Sequence, residues 1–239
     1  MNKYIICNLK ANKTLPEIKE YCNILDEIKL KDDFKLLVAP SIPYLYLFND
    51  NKYELVAQDV SKFDSGSFTG EISSKQLASL NVKYVLIGHF ERRTYFNENE
   101  QDFIKKINIS VRNGIKPIYF IGEPKNSFNQ DTALKLQIVN VLDNISAQAR
   151  EEMIIVYEPE INIGSNNIID KKVLEEKIYF IEHLINDRYN LSIPIIYGGS
   201  ITKEDIKTLK EVKELDGFIL GQSSLDAANV ITIYNNYSN

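Results

Sequence analysis

The chain has 239 residues, 44% of them hydrophobic, with 10 Gly, 7 Pro and a formal net charge of −5. That is apolar material for one large core, too little Gly and Pro for disorder, and no basic excess of the kind nucleic-acid binding needs. The apolar start at Tyr4–Cys7 is too short for a signal peptide and no apolar run nears the ~18 residues of a membrane span, so a cytoplasmic chain with no membrane partner is expected. The two cysteines, Cys7 and Cys22, make no disulfide framework and read as core thiols of a reducing compartment.

Eight short apolar runs punctuate the chain: Tyr4–Cys7, Leu36–Ala39, Glu54–Ala57, Tyr84–Ile87, Pro117–Ile121, Ile154–Tyr157, Pro194–Tyr197 and Phe218–Leu220. Their apolar residues are consecutive, not alternating, as in strands buried on both faces of a parallel sheet. Helical patterns lie between them. Thr14 is placed to cap a helix with Pro16 in its first turn, and Ile18, Tyr21, Cys22 and Leu25 repeat at helical spacing. Phe103, Ile104, Ile107 and Val111 repeat likewise before a stop at Gly114, and Leu134, Ile138, Val141, Leu142 and Ile145 mark the next helix. Asp170 opens another, Thr202 to Asp205 reads as a capping box ahead of Ile206 and Leu209, and a last helix is expected from about Ser224. No linker or composition break divides the chain. Eight strand–helix units in this length predict one α/β domain over residues 1–239, a single closed barrel of eight parallel strands in preference to an open doubly wound sheet.

The residues that follow each run carry the chemistry, because parallel barrels keep their active sites at the carboxyl ends of the strands. Run one delivers Asn8 and the cation Lys10; run four, His89; run six, Glu158, followed by Pro159. Gly88 before His89 and Glu91-Arg92-Arg93 after it suggest a tight turn into a short helix, whose dipole disfavours an imidazolium at its N-terminus. A neutral imidazole there polarises a carbonyl. The only other histidine, His183, falls mid-helix beside Glu182 and reads as a solvated residue. Gly198-Gly199-Ser200 and Gly221-Gln222 form two consecutive glycine turns ahead of helices, suited to hold a phosphate by backbone N–H groups. The stretch Pro159 to Asn167, with Gly164 inside it, has the length and composition of a lid. No dinucleotide fingerprint and no clustered His/Cys set is present in the sequence, so no cofactor and no metal are expected.

Taken in order, the stretches Asn8-Leu9-Lys10-Ala11-Asn12, Ala57-Gln58-Asp59-Val60-Ser61, Gly66-Ser67-Phe68-Thr69-Gly70-Glu71, Gly88-His89-Phe90-Glu91-Arg92-Arg93, Ile121-Gly122-Glu123, Tyr157-Glu158-Pro159, Ile163-Gly164-Ser165, Tyr197-Gly198-Gly199-Ser200 and Asp216-Gly217 resemble triosephosphate isomerase along nearly the whole chain. The resemblance implies a TIM barrel that interconverts dihydroxyacetone phosphate and glyceraldehyde 3-phosphate. It implies Glu158 as the base, His89 as the electrophile and Lys10 as the substrate-binding cation joined by Asn8. Backbone at Gly164, Ser200, Gly221 and Gln222 would hold the phosphate. It further implies a homodimer in which the loop Asp59–Gly70 enters the neighbour and Thr69 reaches the partner's Asn8 and Lys10. Compared with the family pattern, Leu9, Phe90, Phe120, Ile161, Asn162, Asn166 and Gln222 are departures, none of which removes a proton-transfer group. Two other readings share parts of this pattern: another phosphosugar isomerase, epimerase or lyase with the same phosphate loops, and an impaired barrel that binds phosphate without turnover.

Overall fold

The structure, a computed structural model, describes residues 2–48, 52–165 and 168–239. Eight strands form a closed barrel in sequence order: β1 (Lys3–Asn8), β2 (Phe34–Ala39), β3 (Glu54–Ala57), β4 (Tyr84–Ile87), β5 (Lys116–Ile121), β6 (Ile154–Tyr157), β7 (Ile195–Gly198) and β8 (Gly217–Leu220). All pairings are parallel, and β8 closes on β1 with Gly217 opposite Tyr4. That seam needs a glycine: a Cβ on Gly217 would lie 1.9 Å from the Tyr4 carbonyl oxygen, and its φ of +150° is one that side chains rarely adopt.

The consecutive apolar runs are explained by two separate cores. Within β1, Ile6 points into the barrel while Ile5 and Cys7 face the helices; within β2, Leu37 and Ala39 point in while Leu36 and Val38 point out. The barrel interior is filled by side chains such as Ile118, Phe120, Val156 and Ile196. The larger core lies between barrel and helices, where the twofold alternation of each strand is masked because both faces are dry. Cys7 and Cys22 are both free and buried.

Helices α1 (Leu15–Leu25), α2 (Ser74–Ser79), α3 (Phe90–Phe96), α4 (Glu100–Arg112), α5 (Gln130–Leu142), α6 (Ala147–Glu152), α7 (Lys171–Tyr189), α8 (Ile206–Lys210) and α9 (Ala227–Ser238) cover the barrel. Thr14 caps α1, its N–H and hydroxyl both donating to Glu17, and Asp170 caps α7 by accepting from Lys172 and Val173. Four expectations need correction. The connection from β2 to β3 carries a 3₁₀ segment, Ile42–Phe48, in place of an α-helix, and the short α6 was not foreseen. Thr202 makes the bonds expected of a capping box, its N–H and hydroxyl both donating to Asp205, but residues 203–205 form a turn and α8 begins only at Ile206. The last helix starts at Ala227 under an Asp226 cap, preceded by a 3₁₀ turn over Gln222–Ser224.

Candidate active site

At the carboxyl end of the barrel lies a cavity of about 470 Å³, lined by Asn8, Lys10, His89, Glu158, Gly164, Ser200, Gly221 and Gln222 together with Ile163 and Ile219. Every residue proposed from the sequence for catalysis or binding therefore meets in one place, at a volume suited to a small ligand.

Lys10 reaches it from a strained backbone. Asn8, the last residue of β1, accepts the Lys10 N–H on Oδ1 at 3.1 Å, and Lys10 adopts a left-handed φ of 51°. That conformation costs a lysine on the order of 1–2 kcal/mol. It is held from the next two strand ends: the Lys10 carbonyl accepts from Ser41 Oγ at 2.8 Å and from Gln58 Nε2 at 2.9 Å, and Gln58 also donates to the Ala39 carbonyl.

His89 sits in the N-cap position of α3, where its Nδ1 accepts the Glu91 N–H at 3.2 Å. With that lone pair used, the proton of the neutral ring is assigned to Nε2. Nε2 is 3.8 Å from Glu158 Oε1, and the ring stands edge-on against Phe120 at 4.9 Å. The geometry thus aims an N–H donor and a carboxylate at a common region.

Glu158 follows β6 directly, its N–H donating to the Ile121 carbonyl at 2.8 Å. Only 11% of its side chain is exposed. Burial pushes its carboxyl above the ordinary glutamate value; the nearby His89 ring, the Lys10 ammonium and the Phe90 N–H oppose that rise without cancelling it, and the Glu91 carboxylate adds to it. A desolvated carboxylate of this kind is a stronger base than a free glutamate.

One participant escaped the sequence reading as a site residue. Glu91, in the first turn of α3, accepts from Lys10 Nζ at 2.5 Å and lies 3.6 Å from His89 Nδ1. Its side chain holds the lysine, while its backbone N–H orients the imidazole from the same helix end. The available signal was its position two residues after His89, which puts it at the same N-terminus.

The anion end of the cavity is built by the two glycine turns, and the α-helices expected directly behind them begin only at Ile206 and Ala227. Gly199, Ser200, Gly221, Gln222 and Ser223 line it, and Gln222 begins a 3₁₀ turn, whose first N–H groups have no partner within the turn. Gly164, at φ 71°, comes from the lid. The Ser200 hydroxyl engages the lid itself, donating to the Asn162 carbonyl at 3.1 Å, while Tyr197 OH accepts the Ile169 N–H at 3.1 Å at the lid's far end. Tyr197 was not singled out from the sequence, because its lid contact spans 28 residues. Ile161 is 53% exposed on the lid's outer side. The departure at Asn166 and the lid's end at Asn167 lie outside the described residues. His183 stays remote, stacked on Tyr179 along the exposed face of α7.

With this geometry in hand, comparison with known proteins is informative. The sequence model of the family described as triosephosphate isomerase matches residues 3–237. A triosephosphate isomerase of Mesomycoplasma hyopneumoniae (strain 232) is 34% identical over 235 residues, which span 95% of this chain and 96% of the relative. One of Francisella tularensis subsp. holarctica (strain LVS) is 32% identical over 246 residues, spanning 98% of this chain and 97% of the relative. One of Mycoplasma pneumoniae is 32% identical over 243 residues, spanning 99% of both.

Proposed function

We propose, from the premise that the chain belongs to the triosephosphate isomerase family, that Glu158, His89 and Lys10 carry its reaction. The chain is an isomerase of the triose phosphates, interconverting dihydroxyacetone phosphate and D-glyceraldehyde 3-phosphate through an enediolate, a step of glycolysis. Glu158 takes the carbon-bound proton of the substrate and returns it to the neighbouring carbon. His89 Nε2–H and the Lys10 ammonium stabilise the charge that develops on the two substrate oxygens, and Asn8 completes that polar cluster. Backbone at Gly164, Ser200, Gly221 and Gln222 holds the phosphate, and Ile163 and Ile219 exclude water from the base. The observation that supports these roles most is the convergence of an imidazole N–H and a desolvated carboxylate 3.8 Å apart in the cavity that also contains the lysine. A coupled assay in each direction tests the reading; a folded protein that turns over neither triose phosphate contradicts it.

The raised carboxyl pKa gives a pH signature of defined sign. The base works ionised, so kcat/KM should fall on acidification with a midpoint above the ordinary 4.5. For stability the sign is opposite. The buried site prefers the neutral carboxyl, so this contribution is complete below pH 4.5 and is lost as pH rises through the folded-state value. The Tm advantage of Glu158→Gln over wild type should therefore grow with pH across that window. A Tm difference independent of pH would contradict a desolvated base.

We also propose a homodimer, one barrel domain per chain over residues 1–239, working in the cytoplasm. Among the described residues no helix is long and apolar enough to cross a membrane. Seven of the twelve large apolar side chains exposed there, Leu15, Ile42, Tyr46, Phe63, Phe68, Tyr95 and Phe96, come from the connections after β1 to β4. Phe63 and Phe68 stack at 3.9 Å in the loop Asp59–Gly70 and stand partly in solvent, a conspicuous exposure for a monomer. Asp59, at the root of that loop, is tied down by Lys106 at 2.6 Å and Arg92 at 3.0 Å. In the dimer this loop enters the partner and Thr69 supports the other copy's Asn8 and Lys10. Light scattering should give twice the chain mass at micromolar concentration, and Phe68→Glu should yield monomers of reduced activity; a fully active wild-type monomer rejects the proposal.

A further inference from the structure

Close to the base, but outside the lining of the cavity, a second carboxylate is buried that proton transfer does not use. Glu123, two residues past β5, is 3% exposed. Its Oε1 accepts the Tyr157 hydroxyl at 2.9 Å, its main-chain carbonyl accepts the Glu160 N–H at 3.3 Å, and among the described residues its Oε2 has no hydrogen-bond partner. Tyr157 is fully buried and directly precedes Glu158. Glu123 therefore grips the segment carrying the base on both sides of it.

A carboxylate at that depth is costly unless a cation faces it. The cation is Lys177, in the second turn of α7, with Nζ 3.7 Å from Glu123 Oε1 and 2.6 Å from Asp131 Oδ1. The lysine side chain is only 12% exposed, whereas that of Asp131 is 62% exposed and so remains hydrated without it. The Asp131 contact fixes where the ammonium sits, and the Glu123 contact is the one that water cannot replace.

We infer that Lys177 is a positioning residue for the isomerisation: its ammonium anchors the Glu123 carboxylate against Tyr157, and the Glu123–Tyr157 bond sets the place of Glu158. The inference rests on Glu158 being the base. It explains why a helix on the outside of the barrel places a nearly buried lysine behind β6. It also makes α7, which follows the lid in sequence, part of the support of the base.

The test is steady-state kinetics on purified, folded variants at a temperature well below every Tm. Lys177→Met should lower kcat about five- to fiftyfold, less than the ~100-fold that a 1 Å misplacement costs, with KM within about twofold. Lys177→Arg should restore most of the loss, and Asp131→Asn should behave as wild type. Should Lys177→Met not fold, the double variant Lys177→Met/Glu123→Gln supplies the answer. A neutral amide oxygen still accepts the Tyr157 bond and needs no cation, so kcat should return to within about fivefold of wild type. In a Tyr157→Phe background, Lys177→Met should add less than about twofold, since the two act through one bond. Unchanged kcat in folded Lys177→Met, a double variant no better than Lys177→Met where that folds or far below wild type where it does not, or losses that simply multiply would overturn the inference. Glu158→Asp run alongside separates the two claims: if it alone loses activity, the base stands and the role of Lys177 falls.

Discussion

Glu158→Asp should cut kcat on the order of a hundredfold or more while leaving the affinity for a phosphate-bearing competitive inhibitor close to wild type. Shortening the side chain by one methylene draws the carboxylate back by ~1 Å, and a displacement of that size at a reacting group costs about 10²-fold. The turns proposed to hold the phosphate, at Ser200 and Gly221–Gln222, follow β7 and β8, whereas Glu158 follows β6, so the change should leave them in place. The loss should thus appear in kcat and not in binding, the pattern of an interaction made in the transition state. Undiminished turnover in Glu158→Asp would remove Glu158 from the role of base, and the roles of His89 and Lys10 would fall with it.

The second large effect concerns a residue that touches no substrate. Gly122→Ala should lower both stability and kcat. A Cβ at Gly122 would lie 1.9 Å from the Glu158 carbonyl oxygen and 2.6 Å from its carbonyl carbon. Those are backbone atoms, which cannot rotate aside as a side-chain tip does. The ends of β5 and β6 would have to part where the Glu158 N–H donates to Ile121, and where Gln137 pairs both ways with the Gly122 peptide at 2.8 and 3.0 Å. Overpacking of this kind costs about 1–3 kcal/mol, and here the atom displaced belongs to Glu158 itself. Gly114→Ala is the control: among the described residues no atom lies within 4 Å of a Cβ there, so its cost is only that of a left-handed φ of +74°, about 1 kcal/mol, a strain that Gly122 does not carry. Thermal melts and initial rates of the two variants decide. Gly122→Ala as stable and active as wild type would mean that the β5–β6 contact does not position Glu158.

Such contacts mark the limit of what the sequence discloses. The strands were legible because burial on both faces writes itself as consecutive apolar residues: Glu54–Ala57, Tyr84–Ile87 and Ile154–Tyr157 agree to the residue. Strand ends then located Lys10, His89 and Glu158, since a barrel presents the residue after each strand at its mouth. The 3₁₀ segment after β2 was hidden because Ile42–Phe48 has no helical spacing and contains Pro43. The Thr202–Asp205 bonds were legible, but not the turn they close, which delays α8 to Ile206. Glu91, Tyr197 and Lys177 act through partners 81, 28 and 54 residues away, Lys10, Ile169 and Glu123, and spacing along a chain says nothing about such pairs.

The left-handed turn at Lys10 has a consequence for the order in which this protein becomes competent. Lys10 leaves the ribosome ahead of Ser41 and Gln58, which secure its conformation and emerge with the second and third strands. Until then nothing offsets the strain, and the segment relaxes to the ordinary right-handed or extended backbone. The lysine is thus synthesised early and put in place late, and a fragment ending before Gln58 would carry it without its geometry.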